Sequence, residues 1–318
     1  MTDIASYLHG IHPRSEDLVG ATRDHARGRL SAEAVDDQRQ ADRAAFRSLQ
    51  RDAGIDYLSA GHLDWQDLFR PLIAASAGLS PGALTRWFDN NAFFRAPIVD
   101  GPPRLDVRRF IKEYGAGEGD GPTVAVLPGP YTFSRASATD GDRDVLMATL
   151  ASDVLRPAVE TSVQRGAALV HLEEPWLVKP GARIDWRTVG EAIASTRDGI
   201  DARVVVHTYF GDAGPHLPRL RALPADAIGV DLVETDLADL AGTWEKGLVA
   251  GCVDGRTSLV ESIDETVAVA RDILEIAELP ALLLSSTCDL ELVPRQVGDQ
   301  KVRLLGAAAA RLREEREE

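Results

Sequence analysis

Three residues with metal-binding side chains each follow an apolar run that predicts a buried strand. In a parallel barrel the carboxyl ends of all strands meet at one rim, where active sites collect. Imidazole, carboxylate and thiolate are all zinc ligands, and three protein ligands leave a coordination position open, as catalytic zinc requires. Such a zinc would bind a substrate thiol as the nucleophilic thiolate. The three candidate ligands are His207 after Arg203–Val206, Glu234 after Ala227–Val233 and Cys288 after Ala281–Thr287.

Two adjacent acids, Glu173 and Glu174, follow another apolar run, Ala168–Leu172. Neighbouring residues of a strand point to opposite sides. One acid can therefore face the rim pocket while the other caps a helix or forms an ion pair elsewhere. We predict that Glu173 faces the pocket and recognises a cationic group, such as a substrate ammonium, through a charge-assisted hydrogen bond. Glu173 and Asp254, which follows the run Leu248–Val253, are the candidate catalytic residues.

A structural role remains open for each of these residues, because chains turn in solvent and polar side chains commonly follow strands. Cys288 could be a small buried hydrophobe. His207 could be a hydrogen-bonded residue of the rim. Cys252 lies inside an apolar run, so we expect it to be structural. The placement of all the candidates at one rim is what favours function.

The elements that would position these residues alternate between short apolar runs and helical segments. Strands separated by helices indicate parallel βα units, and about eight such units indicate a closed barrel. We therefore predict an α/β fold, a (βα)8 TIM barrel. The first barrel strand is predicted at Ile55–Gly61 and a second candidate at Phe93–Val99, and Pro71–Pro81 is predicted to be helical.

The segment before the first predicted strand looks helical. Ser31 is a helix N-cap, Glu33 lies in the first turn, and Gly54 ends the helix. We predict two parts: a helical N-terminal extension over residues 1–54 and the barrel over residues 55–318.

Composition excludes several classes of partner. The chain has 318 residues, a net charge of −15 and a pI near 4.9, so binding to nucleic acid or to an anionic membrane is not expected. No apolar run approaches the length of a membrane span, and the first residues lack the regions of a signal peptide. Two cysteines do not make a disulfide framework. We expect a cytoplasmic protein.

These residues resemble the cobalamin-independent methionine synthase family. In that family a duplicated barrel carries zinc in its C-terminal half on a His-x-Cys pair, a Glu and a late Cys. His207, Glu234 and Cys288 match in order and strand position. Tyr209 stands where the first zinc Cys would be, which leaves three candidate protein ligands for Zn²⁺.

Other stretches look more like the family's N-terminal half, which contacts the polyglutamyl folate in full-length members. The most specific are Thr85–Asn91 and Pro128–Phe133. The resemblance covers nearly the whole chain and implies a single-barrel member. Glu173 matches the acid that contacts the homocysteine amino group, and His62 occupies the place of another acid. The candidate substrate-binding residues are Arg14, His62, Asp64, Trp87, Asp89 and Glu173.

Two functions follow from this resemblance. The first is a zinc-dependent S-methyltransferase of methionine biosynthesis, which passes a methyl group from a carrier to zinc-bound homocysteine. The methyl donor would be methyltetrahydrofolate or a methylcobalamin carrier. The second is a noncatalytic folate- or pterin-binding barrel that partners a separate catalytic methionine synthase barrel. A purely structural barrel is disfavoured by the number of polar residues at the rim.

Overall fold

The computed structural model describes residues 2–114 and 121–317. Its strands are β1 Asp3–Ser6, β2 Leu58–Ser59, β3 Ser76–Arg86, β4 Phe93–Leu105, β5 Thr123–Pro128, β6 Ala167–Glu173, β7 Arg203–His207, β8 Ala227–Asp231, β9 Gly242–Thr243, β10 Gly247–Val253, β11 Ala277–Glu278 and β12 Ala281–Ser286. Its helices are α1 Glu16–Ala26, α2 Ala32–Asp52, α3 Arg70–Ala75, α4 Val107–Tyr114, α5 Pro130–Ala136, α6 Arg143–Leu150, α7 Arg156–Gln164, α8 Trp186–Arg197, α9 Leu217–Leu220, α10 Ile263–Ile276 and α11 Arg295–Glu317. Within these described ranges, no helix has the length and apolarity needed to cross a membrane.

Eight parallel strands form a closed barrel, which confirms the predicted fold class. The sheet runs in the order β1-β12-β10-β8-β7-β6-β5-β2. Around the ring, the eight strands therefore follow one another in the order in which they occur along the chain. The ring closes between its two ends through a parallel bridge from Tyr7 to Tyr57, whose backbone N–H donates to the Ser6 carbonyl at 3.2 Å. A closed parallel ring leaves no sheet edge exposed and brings all the carboxyl ends to one mouth.

The first strand of the barrel lies much earlier in the chain than predicted. Asp3–Ser6 pairs with β12 in parallel register, and Ile55–Gly61 supplies the second strand, β2. The predicted boundary at residue 54 therefore does not follow the edge of the barrel. Helices α1 and α2 are present as expected, but the strand before them belongs to the barrel. This strand was missed because it has only four residues, two of them polar.

A long antiparallel hairpin, β3–β4, is inserted between the second and third barrel strands. The predicted helix over Pro71–Pro81 is correct only as far as Ala75, because the chain continues as β3 from Ser76. Phe93–Val99 is a strand, as predicted, but it pairs within the hairpin rather than in the barrel. The hairpin reaches the mouth of the barrel, where Asp67 accepts a hydrogen bond from the backbone N–H of Arg95 at 3.1 Å.

Alternation along the barrel strands sorts the interior into layers. Leu169 of β6 and Val205 of β7 belong to an apolar cluster inside the ring. Two residues further along the same strands, side chains point inward again, and here they are His171 and His207, both fully buried. The next inward position of β6 is Glu173, also fully buried. An apolar layer is thus followed by an imidazole layer and then by a carboxylate at the mouth.

Candidate active site in the barrel mouth

Buried imidazoles and carboxylates meet at the carboxyl ends of four barrel strands. We call this group the imidazole–acid cluster. Strand β1 leads into the first histidine, β6 carries a histidine and a glutamate, β7 leads to a histidine and a tyrosine, and β12 leads into an aspartate. The members of the cluster are His9, His171, Glu173, His207, Tyr209 and Asp289.

The three histidine rings of this cluster are in mutual contact. The rings of His9 and His171 are stacked with their centroids 4.3 Å apart. The His207 ring lies edge-on to both, with centroids 4.7 Å from His9 and 5.0 Å from His171. One nitrogen of each ring lies within 4.8 Å of one nitrogen of each of the others. Such a distance is compatible with one metal ion or one water molecule between them.

The ring nitrogens in this layer differ in their hydrogen bonding. His9 contacts Glu173 through Nδ1 and the Ser286 carbonyl through Nε2, each at 3.2 Å. His171 Nδ1 is hydrogen-bonded to the Tyr7 hydroxyl at 2.8 Å. Among the described residues, His171 Nε2 and both nitrogens of His207 have no hydrogen-bond partner. Burial lowers the pKa of all three imidazoles, so they are neutral near pH 7 and can each offer a lone pair.

Glycine at one position makes room for an imidazole. A Cβ on Gly229 of β8 would lie 2.6 Å from the His207 ring, closer than any real van der Waals contact. The ring can occupy its place only because the neighbouring strand has no side chain there. Gly10 has the same role beside Asp289: it has a φ of 68°, and a Cβ there would overlap the Asp289 carboxylate.

Glu173 is held by two other members of the cluster. The Tyr209 hydroxyl donates to Glu173 Oε2 at 2.6 Å, and His9 Nδ1 lies 3.2 Å from Oε1. Asp289 Oδ1 lies nearby, 3.8 Å from His9 Nδ1. Burial raises the pKa of Glu173 to about 7, although the Tyr209 hydrogen bond acts in the opposite direction. A positive charge placed beside this carboxyl would therefore be strongly attracted to its ionised form.

A small cavity of about 20 Å³ lies directly above this carboxylate, which is room for about one water molecule. Four acids line it, and burial raises the pKa of each: well above the ordinary value for Asp289, to about 8 for Glu291 and to about 7 for Glu173. Trp87 and Phe94 of the hairpin lie on its other side. The acids of this cavity are Asp67, Glu173, Asp289 and Glu291.

Glu174 turns away from the cavity, as the strand alternation predicted. Its carboxylate accepts hydrogen bonds from the backbone N–H groups of Tyr131 at 2.9 Å and Thr132 at 2.7 Å. These are free donors in the first turn of α5, so Glu174 caps that helix. Its role is structural, and Glu173 alone of the pair faces the mouth.

The predicted zinc ligands do not come together. Among the described residues, two groups of three metal-binding side chains have ligand atoms within 4.8 Å of one another: His9, His171 and His207, and His9, Glu173 and Asp289. Glu234 and Cys288 belong to neither group. Strand β8 ends at Asp231, and the chain turns there through hydrogen bonds from Val233 and Thr235 to Asp231. This turn carries Glu234 out to the surface.

Glu234 instead belongs to a set of ion pairs around one arginine, which we call the Arg256 cluster. Arg256 contacts Glu234 at 2.9 Å, Asp254 at 3.0 Å and the fully buried Asp231 at 3.3 Å. Each of these acids thus has a cationic partner. Asp254, predicted to be catalytic, is engaged here and not in the imidazole–acid cluster. The thiol of Cys288 is buried, and burial raises its pKa well above the usual range.

The predicted substrate-binding residues lie in several places. Trp87 lines the acidic cavity with Glu173, whereas Arg14 lies in an adjoining groove that also includes Glu291. Asp64 is held by Arg43 of α2, with oxygen–nitrogen distances of 2.7 and 2.8 Å. His62 is stacked on Trp65 with ring centroids 3.8 Å apart, and burial lowers its pKa to about 3. His62 and Asp64 do not line the cavity. Asp89, the last of the six predicted substrate-binding residues, lies at the surface beside Arg86.

An aromatic cleft of about 640 Å³ lies next to the cavity at the tip of the hairpin. Phe88 lies 5.1 Å from Trp176 and 5.3 Å from Phe210, measured between ring centroids. Lys179 lies over the Trp176 ring and Arg256 over the Phe210 ring. Phe88 and Phe210 both have positive φ, 52° and 60°, a conformation that is strained for a bulky side chain. Aromatic faces and cations together suit a flat ligand with anionic groups.

Several residues of the site were not predicted from the sequence. His9 follows β1, a strand that the sequence does not predict, and Asp289 and Glu291 lie just past Cys288, the residue that the zinc pattern selects. His171 carried a visible signal, because it is a histidine within the otherwise apolar run of β6. Tyr209 was noted only as a replacement for a cysteine, although its hydroxyl positions Glu173.

Comparison with known proteins gives consistent matches. Residues 74–278 match the family described as cobalamin-independent synthase, N-terminal domain. A methionine synthase of Sulfolobus acidocaldarius is 24% identical over 317 residues, with 95% of this chain and 90% of that protein covered. A 5-methyltetrahydropteroyltriglutamate–homocysteine methyltransferase of Nitratidesulfovibrio vulgaris is 27% identical over 346 residues. That match covers 90% of this chain but only 44% of the longer protein.

The fold has a solved counterpart. A B12-independent methionine synthase from a Shewanella species, determined in complex with selenomethionine, superimposes with a TM-score of 0.71 at 19% identity. The superposition covers 91% of this chain and 92% of that one. At this level of identity the likeness concerns the fold. This chain thus spans most of the Sulfolobus and Shewanella proteins but less than half of the Nitratidesulfovibrio protein.

Proposed function

The chain belongs to the cobalamin-independent methionine synthase family, and on that premise we propose that it is a homocysteine S-methyltransferase of methionine biosynthesis. In this reaction the homocysteine sulfur attacks a methyl carbon, the bond from that carbon to its carrier breaks with its electron pair staying on the carrier, and the thiol proton passes to the carrier or to solvent. The observation that carries the proposal is the buried acidic cavity around Glu173. Homocysteine has an ammonium group that such a cavity can bind.

The cavity suits an ammonium because its acids converge and its cations lie outside. Glu173 is oriented by Tyr209 and His9, so its carboxylate does not have to be ordered when the substrate arrives. An ammonium entering the cavity would donate charge-assisted hydrogen bonds to Glu173 and Asp289, which are stronger than neutral ones. A thiol lacking an ammonium would leave these buried carboxyls without that partner. The site therefore selects an amino acid.

The methyl donor fits the aromatic cleft. Its rings can stack on a pterin, and Lys179, which lies over the Trp176 ring, can pair with a carboxylate tail. The cleft and the acidic cavity share Phe94 in their walls, so the two substrates would lie side by side. We propose methyltetrahydrofolate as the donor, and a methylcobalamin carrier as the other donor to test. The reaction is proposed to occur in the cytoplasm.

Zinc bound by His207, Glu234 and Cys288 does not fit this chain. Glu234 is held at the surface by Arg256, and these three side chains do not form one of the metal-binding groups among the described residues. We derive no step of the reaction from a metal at those residues. The residues that act in our proposal are Glu173 and Asp289 as ammonium ligands, and Tyr209 and His9 as positioning residues.

A second function is favoured by one specific observation. The matching family description is that of an N-terminal domain, and the Nitratidesulfovibrio relative is more than twice as long as the matched part. The chain could therefore be a noncatalytic barrel that binds the pterin donor and partners a separate catalytic methionine synthase barrel. In that case the aromatic cleft would bind its ligand, but homocysteine would not be methylated by this protein alone.

An assay of methionine formation tests the proposal. Purified protein supplied with Zn²⁺ is incubated with L-homocysteine and either methyltetrahydrofolate, in mono- and polyglutamyl forms, or methylcobalamin, and methionine is measured by mass spectrometry. We expect methionine from the wild-type protein with at least one donor, and much less from Glu173→Gln. Binding of the folate without methionine formation from any donor would refute the enzyme and favour the partner barrel.

A further inference from the structure

We propose that His9, His171 and His207 bind one divalent transition-metal ion inside the barrel, at a site that shares only His207 with the expected zinc ligands. Glu234 and Cys288 do not meet His207, whereas His9 and His171 do. This metal site does not depend on methyl transfer by this protein.

Several buried polar atoms in the imidazole layer of the barrel lack hydrogen bonds. Buried polar atoms in folded proteins nearly always have a partner, and an exception calls for a bound ion or water molecule. In the described part of the chain, His171 Nε2 and both nitrogens of His207 lack one, and so does the Ser286 hydroxyl. The carbonyl of that same serine accepts a hydrogen bond from His9. One nitrogen of each of the three rings lies within 4.8 Å of the others, so a single ion between the rings could satisfy unpaired nitrogens of His171 and His207.

The three imidazole side chains are chemically suited to bind a transition-metal ion. Neutral imidazole is the form that binds metal, and three histidines with an open fourth position make a known type of zinc site. Imidazole also suits copper, iron and nickel. Zinc–nitrogen bonds of 2.0–2.1 Å place the nitrogens of a tetrahedral site roughly 3.4 Å apart. The ring nitrogens lie within 4.8 Å of one another, and the stacked rings of His9 and His171, inclined by 14°, have to turn toward each other for both lone pairs to reach one ion.

Neighbouring residues hold two of the three histidine rings in position. Histidines that bind metal usually hydrogen-bond through the other ring nitrogen, which fixes the orientation of the ring. Tyr7 bonds to His171 Nδ1 at 2.8 Å, and this leaves Nε2 to face the shared space. Gly229 leaves room for the His207 ring against β8. Two of the three rings are thus positioned by residues that do not themselves bind the ion.

The other metal-binding group in this region, His9 with Glu173 and Asp289, is less suited to an ion. Its glutamate already has partners: Tyr209 donates to Glu173 Oε2 at 2.6 Å, and His9 Nδ1 lies 3.2 Å from Oε1. A metal there would have to displace these bonds, whereas a metal between the three imidazoles displaces one bond of His9 and none of His207 or of His171 Nε2. The three-histidine group is therefore the preferred one.

Metal content tests the proposal without any activity measurement. The protein is stripped with a chelator, reloaded with Zn²⁺, desalted and analysed by plasma mass spectrometry. We expect about one equivalent of zinc per chain, and far less in His171→Gln and in His207→Gln. Circular dichroism identifies which variants are folded. The wild-type protein loaded with Co²⁺ should also show the visible absorption of a tetrahedral site, a result that needs no variant.

Two variants serve as matched controls, since they remove the residues first expected to bind zinc. Cys288→Ser and Glu234→Gln should keep the wild-type zinc content. Wild-type protein that holds far less than one equivalent and shows no Co²⁺ spectrum would overturn the proposal. So would loss of zinc in Cys288→Ser, or retention in folded His171→Gln and His207→Gln with loss in Asp289→Asn. That last result would assign the ion to the carboxylate group.

Discussion

Two groups of charged and polar side chains lie at the mouth of this barrel, and they differ in how completely they are paired. In the Arg256 cluster each acid has a cationic partner within 3.3 Å. In the imidazole–acid cluster, acids face acids across a cavity, and ring nitrogens lack partners in the described structure. The first cluster is complete without a ligand. The second is not, and incomplete pairing in a buried site is what a ligand can relieve.

Both groups come from the same kind of sequence signal, polar residues just past apolar strands. The signal therefore finds the mouth of the barrel but does not distinguish a paired acid from an unpaired one. That distinction depends on which side chains approach across the barrel. Mutations that affect the two clusters differently will show whether the distinction is functional.

The largest expected effect is on Glu173. Replacing it with glutamine removes the charge that we propose binds the substrate ammonium. A hydrogen bond between charged groups is worth about 1.5–3 kcal/mol, so the affinity for L-homocysteine should fall by roughly 10- to 100-fold. Isothermal titration calorimetry measures this directly. The matched control, Asp254→Asn in the Arg256 cluster, should leave the affinity unchanged, and an equal loss in both variants would remove the contrast between the clusters.

Arg256→Ala should produce the opposite pattern, a loss of stability. Asp231 is fully buried and would lose its cationic partner. Unpairing a buried charge is costly, and with Arg256 partly exposed we expect the free energy of unfolding to fall by about 2 kcal/mol. Chemical denaturation measures the change. Glu234→Gln, which removes only the exposed partner, should cost less than about 0.5 kcal/mol. Similar losses in the two variants would show that Asp231 does not depend on this pairing.

Tyr209→Phe should have a smaller effect that is specific to binding. It removes one hydrogen bond to Glu173 and leaves the carboxylate in place but less well oriented. A hydrogen bond of this kind is worth about 1 kcal/mol, so homocysteine affinity should fall about fivefold. Titration calorimetry with a thermal melt separates binding from stability. No change in affinity would contradict a positioning role for Tyr209.

The smallest expected effect concerns the two thiols. Burial raises the pKa of Cys252 to about 12 and that of Cys288 well above its usual range, so the thiolate that reacts with alkylating agents is scarce in the folded protein. Iodoacetamide at pH 8 should leave both cysteines unmodified, and denaturant should expose both, as measured by mass spectrometry. Rapid alkylation of Cys288 in the native protein would contradict its burial as an inert thiol.

The regular second half of the chain could be predicted from its sequence because each strand there is an apolar run bounded by helical segments. Strand β1 could not, since Asp3–Ser6 has little intrinsic strand character and owes its place to pairing with β12. His9 was lost with that strand. The hairpin was misassigned because Phe93–Val99 looks the same whether it pairs in the barrel or with β3.

The candidate site, like the fold, could be predicted from the sequence only in part. Glu173 and Glu174 could be assigned opposite directions from strand alternation alone, and the structure agrees. Whether the side chains of His207, Glu234 and Cys288 come together depends on how the chain leaves each strand. The sequence pattern does not specify this. Three residues past Asp231 the backbone has already turned, and Glu234 faces Arg256 instead of the barrel axis. Loop geometry of this kind depends on tertiary hydrogen bonds that no local pattern encodes.

The central claim is that the acidic cavity recognises the ammonium of an amino acid substrate. The most direct measurement compares the binding of L-homocysteine with that of 4-mercaptobutyrate, which has the same thiol and carboxylate but lacks the amino group. Calorimetric titration of the wild-type protein should give an affinity at least about tenfold higher for homocysteine, the worth of one charge-assisted contact. Equal affinities for the two thiols would contradict the claim.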